Sequence, residues 1–235
     1  MMDELDLRGV PARMVVVGDD DNLATAERLG FDTLERPNVL GRKVNDGFEY
    51  ACQRGADFVS FIGSDDWAHA DWYSTMPPAG VVKTSRWAAV VAPGGTRLLV
   101  RTVASAVGAA PWIIPRDLLA RAGFRPCAND NAMSGIDGSI HAGLSLVREP
   151  AYEVPARRRA QARAWDMRVV WDDSDPLRFV DFKGSDEQIT PFSQVVGRAR
   201  FIERDEPDPW PILATRYPAD LVAGMREHYA SGGAG

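Results

Sequence analysis

A short apolar run, Phe58-Val59-Ser60-Phe61-Ile62, ends in Gly63 and leads through Ser64 into two adjacent carboxylates, Asp65 and Asp66, and then Trp67. Aromatic and β-branched residues closed by a glycine are the pattern of a short buried strand. In an open α/β sheet, ligands sit beyond the carboxyl ends of the strands, which is where these acids fall. Carboxylate oxygens are hard ligands, and Mg²⁺ or Mn²⁺ commonly binds through one or two of them together with substrate phosphates. The same residues also fit a plain strand-ending turn in which Asp65 caps the next helix.

The segments on either side repeat this rhythm. Ala12 to Val17 is a strand pattern that runs into Gly18-Asp19-Asp20-Asp21-Asn22. A helix is expected next, with Leu23, Ala26 and Leu29 on one face and Gly30 as its stop. "FDTLERPN" reads as a strand and turn, and a second helix is expected from about Asn45 to Gly55, with Phe48, Ala51 and Cys52 on its apolar side. Strand, acidic loop, helix, strand, helix, strand is the order of a mostly parallel sheet flanked by crossover helices. The middle changes character. "GVVKTSRWAAVV" and "TRLLVRTV" flank Pro93-Gly94-Gly95, a β-hairpin signal. A helix is expected between Pro115 and Gly123, and another at the end of Asp130 to Leu146. Past Pro150 come an Arg-rich stretch, a strand-like "MRVVW" and an irregular tail. The division expected is a core over residues 1–150 and a C-terminal extension over 151–235 that packs on it and supplies a lid.

Composition narrows the partners. The chain has 235 residues, is 45% hydrophobic and carries a formal net charge of −6, so a broad basic footprint for nucleic acid is not expected. Cys52 and Cys127 lack metal-ligand spacing and read as reduced thiols of a cytoplasmic protein. No apolar run approaches a membrane span, and the acidic start lacks a signal-peptide pattern.

Four segments, in order, resemble the family 2-like glycosyltransferases of the GT-A fold: "VVVGDDDN", "RPNVLGRKVNDGFEYACQRGAD", "VSFIGSDDW", and "IIPRDLLARAGFRP" followed by "SGIDGSIHAGL". The resemblance covers about Met14 to Leu146 and implies a GT-A-like, Rossmann-related core that binds a nucleoside-diphosphate sugar with Mn²⁺ or Mg²⁺. It implies Asp66 as the direct metal ligand, with Asp65 sharing the metal or the ribose. Asp19, with Asp20 as its competitor, would accept hydrogen bonds from the base or ribose. Lys43 would pair with phosphate, or else stand as a solvated helix-entry lysine. Asn45 falls in the donor-side segment, but as a residue at the expected helix start it fits an N-cap better.

Asp137 takes the place of the family's general base, accepting a proton from an acceptor hydroxyl; as a bare residue between two glycines it also fits a helix N-cap. His141 lies one turn later on the same helical face, either lining the site or serving as an exposed or core imidazole. Trp67, Trp72 and Tyr73 offer rings for a sugar or for the core. Arg157, Arg158 and Arg159 offer a phosphate contact or a solvated face, and Lys183 sits beside a loop that could close over the donor.

Two features depart from the family. About a dozen residues precede Met14, where the family begins with a further strand and helix, so the usual first strand is expected to be missing. Gly63 stands where many relatives carry the first acid of their metal motif. The reading is a metal-dependent, inverting glycosyltransferase acting on an unidentified hydroxyl acceptor, of unspecified oligomeric state. Its rivals are a non-catalytic binding module of the same fold, with Asp65 and Asp66 tied up in local hydrogen bonds, and a nucleotidyltransferase, which a Gly-rich basic loop near the start would favour.

Overall fold

The computed structural model describes residues 1–19, 21–63, 66–74, 81–84, 86–91, 97–102, 112–133, 136–146, 169–172, 175–183 and 202–231. The chain is a mixed α/β protein. Its first helix, α1 (Met2–Leu7), precedes β1 (Val15–Gly18), so no strand comes before β1 among the described residues. Helix α2 (Asp21–Arg28) then leads to β2 (Asp32–Glu35), which pairs with β1 in parallel from Val15↔Asp32 to Gly18↔Glu35. Gly30 takes φ +76° and ends the α2 turn as its position suggests. Leu23 and Ala26 are buried, but Leu29 falls past the last helical residue and is 65% exposed.

Helix α3 (Leu40–Gln53) starts five residues before the expected Asn45. Gly41, in the first turn of α3, is a point of close approach. A Cβ there would lie 2.1 Å from the Asn129 carbonyl oxygen, and the Gly41 N–H donates to the Ala132 carbonyl at 2.8 Å. Strand β3 (Phe58–Phe61), β4 (Asp66–Ala68), α4 (Ala70–Ser74), β5 (Val81–Thr84), β6 (Arg86–Val91), β7 (Arg97–Thr102) and β8 (Trp112–Pro115) follow. The hairpin signal is borne out by the β6–β7 ladder, Arg86↔Thr102 through Val91↔Arg97, with Pro93 to Gly95 outside the described residues. The run "VVKTSRWAAVV" divides between two sheets, β5 in one and β6 in the other. Helix α5 (Arg116–Arg121) begins after Pro115 and stops at Gly123, and α6 (Ile136–Leu146) closes the expected loop-to-helix segment.

Beyond residue 150, β9 (Val169–Asp172), β10 (Phe179–Lys183) and β11 (Ile202–Glu206) precede α7 (Trp210–Leu213) and α8 (Ala219–Ala230). These strands are woven into the sheets: β9 lies beside β5, β10 between β6 and β4, and β11 beside β7. The mostly parallel sheet expected from the sequence is corrected to mixed sheets. Of the ladders among the described residues, β1–β2, β5–β9 and β6–β10 are parallel, while β3–β8, β5–β8, β6–β7, β7–β11 and β4–β10 are antiparallel. Parallel neighbours need a crossover of a dozen or more residues, usually helical, and the hairpin region supplies short reversals instead.

Alternation along the strands builds the core. On the four-stranded sheet, Val59, Phe61, Val81, Trp112 and Ile114 pack with α3, α5 and α6. The opposite face carries Phe58, Ile62, Val82 and Ile113, which pack with Leu5, Trp72 and Tyr73 of α1 and α4. A third cluster joins Val90, Val100, Val180 and Phe182 of the five-stranded sheet to Trp210, Leu213 and Val222. Cys52 and Cys127 are both free and buried.

Candidate active site

Asp66 opens β4, immediately beyond the carboxyl end of β3. Its Oδ2 accepts a hydrogen bond from the Gly63 backbone N–H at 2.9 Å. Directly across the antiparallel ladder from Asp66 stands Asp181 of β10, a carboxylate-bearing residue only 8% exposed. Partners directly opposite in such a ladder share a face, with Cβ atoms about 4.5–5.5 Å apart. Sequence reading missed Asp181, because nothing in "RFVDFKG" announces which strand it will face. Asp65, the second expected metal ligand, lies outside the described residues.

The neighbouring residues define that face. Trp67 turns toward the five-stranded sheet's core, 4.5 Å from Phe182 and 5.1 Å from Tyr217 between ring centroids, so it serves packing. The Tyr217 hydroxyl donates to the Leu177 carbonyl at 2.8 Å. Ala68 turns the other way, into the cluster of Trp72 and Tyr73, and alternation puts Asp66 on the Ala68 side. Ser60 of β3 lies between Phe58 and Ile62, which face the same cluster. The buried hydroxyls of Ser60 and Tyr73 lie against each other on this face and find no other hydrogen-bond partner among the described residues. Burial raises the Tyr73 phenol above its ordinary value; the nearby Ser60 hydroxyl opposes this and the Asp66 charge adds to it.

A second group gathers at the carboxyl ends of β1 and β2. Asp19 follows β1 and, with Glu35, Arg36 and Pro37, lines an open depression of about 460 Å³. Lys43 reaches this end from α3, its Nζ 3.6 Å from Asp19 Oδ2 and 3.2 Å from Asn38 Oδ1. The structure therefore brings Asp19 and Lys43 together as an ion pair at a strand end; Asp20 lies outside the described residues. Arg36 is held by Asp46, and Arg125 donates to Asp46 at 2.8 Å and to Glu49 at 2.8 Å. Burial works to raise the Asp46 carboxyl, but the two guanidiniums override it and leave it below the usual carboxylate value.

Asn45 sits elsewhere. The N-cap reading is corrected, since Val39 caps α3 and Asn45 lies inside the helix, 1% exposed. Its Nδ2 donates to the Cys127 carbonyl at 2.9 Å and to Asp130 Oδ1 at 2.6 Å, and its Oδ1 accepts from the Cys127 N–H at 2.7 Å. These bonds engage both ends of its amide in holding the 125–132 loop, which explains a buried polar side chain without a ligand.

Asp137 occupies the first turn of α6 rather than its cap, half-buried, where a carboxylate suits the positive end of the helix. His141 is buried on the same helix, edge-on to Trp112 at 6.4 Å between ring centroids, as a core imidazole. Helix α6 packs against α3 and α5, whereas Asp66 belongs to the five-stranded sheet. Lys183 ends β10 opposite Val91; its side chain, like Arg157 to Arg159, lies outside the described residues.

One further cluster was not legible from spacing. Glu4, His69 and Asp71 bring possible ligand atoms within 4.8 Å of one another. Arg8 already pairs with both Glu4 and Asp71, and His69 Nδ1 accepts from the Asp71 N–H at 3.2 Å. A divalent cation would bind there only in competition with the guanidinium that joins α1 to α4.

No helix among the described residues is long and apolar enough to cross a membrane. Compared with known protein families, curated proteins and solved structures, the chain matches none.

Proposed function

We propose that this chain is a metal-dependent glycosyltransferase that moves a sugar from a nucleoside-diphosphate sugar to a hydroxyl acceptor. The observation that carries the reading is the placement of Asp66 just past the carboxyl end of β3 with Asp181 directly opposite, on a face that also holds the buried hydroxyls of Ser60 and Tyr73. Paired carboxylates and hydroxyls are a hard oxygen donor set that fits Mg²⁺ or Mn²⁺. The Asp19–Lys43 pair beside the β1–β2 depression supports a donor end with one acceptor and one cation for ribose and phosphate.

Asp66, with Asp65, would hold the cation, which supplies charge neutralisation on the diphosphate leaving group when bound. Asp137, on α6 across the four-stranded sheet from the Asp66 face, would on this reading take the acceptor hydroxyl's proton as the acceptor oxygen bonds to the anomeric carbon and the carbon–diphosphate bond breaks. The leaving electrons go to the diphosphate oxygen, and configuration at the anomeric carbon inverts.

A second reading, a non-catalytic module of the same fold, is favoured by one observation. The Gly63 N–H already occupies Asp66 Oδ2, as local capping would have it. A carboxylate retains further lone-pair sites after one such bond, so titration of UDP and GDP with and without Mn²⁺ separates the two. Metal-dependent binding supports the transferase, and binding of neither nucleotide supports the module.

A further inference from the structure

Arg36 follows β2 and is fixed at three points. Its backbone N–H donates to the Gly18 carbonyl at the end of β1, 2.7 Å away. Its Nη1 donates to the Glu35 carbonyl at 2.7 Å, and its Nε is held by Asp46 of α3. These bonds leave the Nη2 edge of the guanidinium without a partner among the described residues, on a side chain that lines the β1–β2 depression and is 37% exposed. Asp46 does not need Arg36 as its counter-ion, because Arg125 already donates to it at 2.8 Å. Lys43 stands at the same strand ends, 3.6 Å from Asp19 Oδ2. The depression is thus served by two cations, one a mobile point charge and the other a planar fork set in advance. Asp19 and Glu35 line it as well, and ionised carboxylates accept from hydroxyls but repel a bare anion. A phosphate joined to a hydroxyl-bearing group suits all four side chains.

We propose that Arg36 is a second phosphate-binding residue of the donor end, its Nη2 edge meeting the diphosphate of a nucleoside diphosphate that Lys43 also pairs with. The inference rests on the donor-end reading above and adds a residue that the strand-end acids and Lys43 do not supply. Asp46 touches no ligand on this account and acts through Arg36, holding the guanidinium where the diphosphate arrives. A side chain ordered beforehand loses less freedom on binding. Bonds from a guanidinium to phosphate are charge-assisted, roughly twice as strong as neutral ones.

The test titrates UDP and GDP, each with Mn²⁺, into the full chain and its variants, and measures the melting midpoint of each without ligand. The expected result is that one nucleotide binds the unaltered protein and that Arg36→Gln weakens it about 10–100-fold. Arg36→Lys should recover only part of the loss, because lysine restores the charge without the fork. Arg125→Met breaks the other half of the Asp46 pairing, and it should lower the midpoint while binding the nucleotide as the unaltered protein does. Full affinity in Arg36→Gln or in Arg36→Lys would overturn the role of the guanidinium and leave the donor-end reading standing. So would a loss in Arg125→Met equal to that in Arg36→Gln, since the ion network's structural role would then account for both. Binding of neither nucleotide by the folded, unaltered protein would overturn the donor-end reading and this inference together.

Discussion

Asp66 and Asp181 stand directly opposite one another in the β4–β10 ladder, although the segments that carry them lie in different halves of the chain. A divalent cation held on that face, as proposed above, stabilises the folded chain by binding it in preference to the unfolded one. Mn²⁺ is therefore expected to raise the melting midpoint of the unaltered protein; saturation at a hundred times the dissociation constant is worth about 2.7 kcal/mol. Asp181→Asn should diminish the rise. Calorimetric melting with and without Mn²⁺ checks this, and a midpoint indifferent to the ion would count against it.

Asn45→Ala should destabilise the protein by about 2–3 kcal/mol, because it strands the buried N–H and carbonyl of Cys127. Asn45→Asp keeps an acceptor for the N–H but loses the donor and sets a second carboxylate beside Asp130. It should be no better than alanine. Urea denaturation of both variants measures the losses, and an unchanged midpoint in either would rule out the clamp.

Gly143→Ala would put a Cβ 1.9 Å from the Pro126 carbonyl oxygen. Alanine gains up to about 1 kcal/mol of helix propensity over glycine, but overpacking against a fixed backbone costs about 1–3 kcal/mol. A net loss is expected here, whereas Gly224→Ala in α8, where a Cβ meets nothing, should be neutral or stabilising. Similar denaturation midpoints for the two variants would contradict the close approach of α6 to the Pro126 loop.

Acid should undo the Asp46 network before neutral pH affects it. The Asp46 carboxyl is held below its unfolded value, so its contribution is complete above that value, about 4, and is lost as pH falls through the lower folded one. Asp71, held down by Arg8, adds in the same window. Arg125→Met should flatten the acid limb of the stability curve below about pH 4 relative to the unaltered protein. An identical acid limb in the variant would remove Arg125 from this role.

The local elements were legible in sequence where punctuation was local. Gly30, Gly63, Pro115 and Gly123 each mark an element boundary that the structure retains, and the β6–β7 hairpin follows its turn residues. Where one residue answers to another far along the chain, the sequence was silent. Nothing local announces that Gly41 lies against the Asn129 carbonyl, and Asn45 reads as a cap until Cys127 closes on it. Pairing direction was likewise opaque, because alternation tells which face a residue takes but not which strand lies alongside. For the candidate site, Asp66 and Asp19 were visible as acids at strand ends, while Asp181 and the hydroxyls of Ser60 and Tyr73 emerged only from register and burial.

The most direct measurement is calorimetric titration of UDP and GDP into the protein and into Asp66→Ala, each with and without Mn²⁺. A metal-dependent glycosyltransferase predicts that one nucleotide binds the unaltered protein in the presence of Mn²⁺, and that this binding disappears in Asp66→Ala. Binding of neither nucleotide to folded protein, or binding that ignores both Mn²⁺ and the Asp66 substitution, would contradict it.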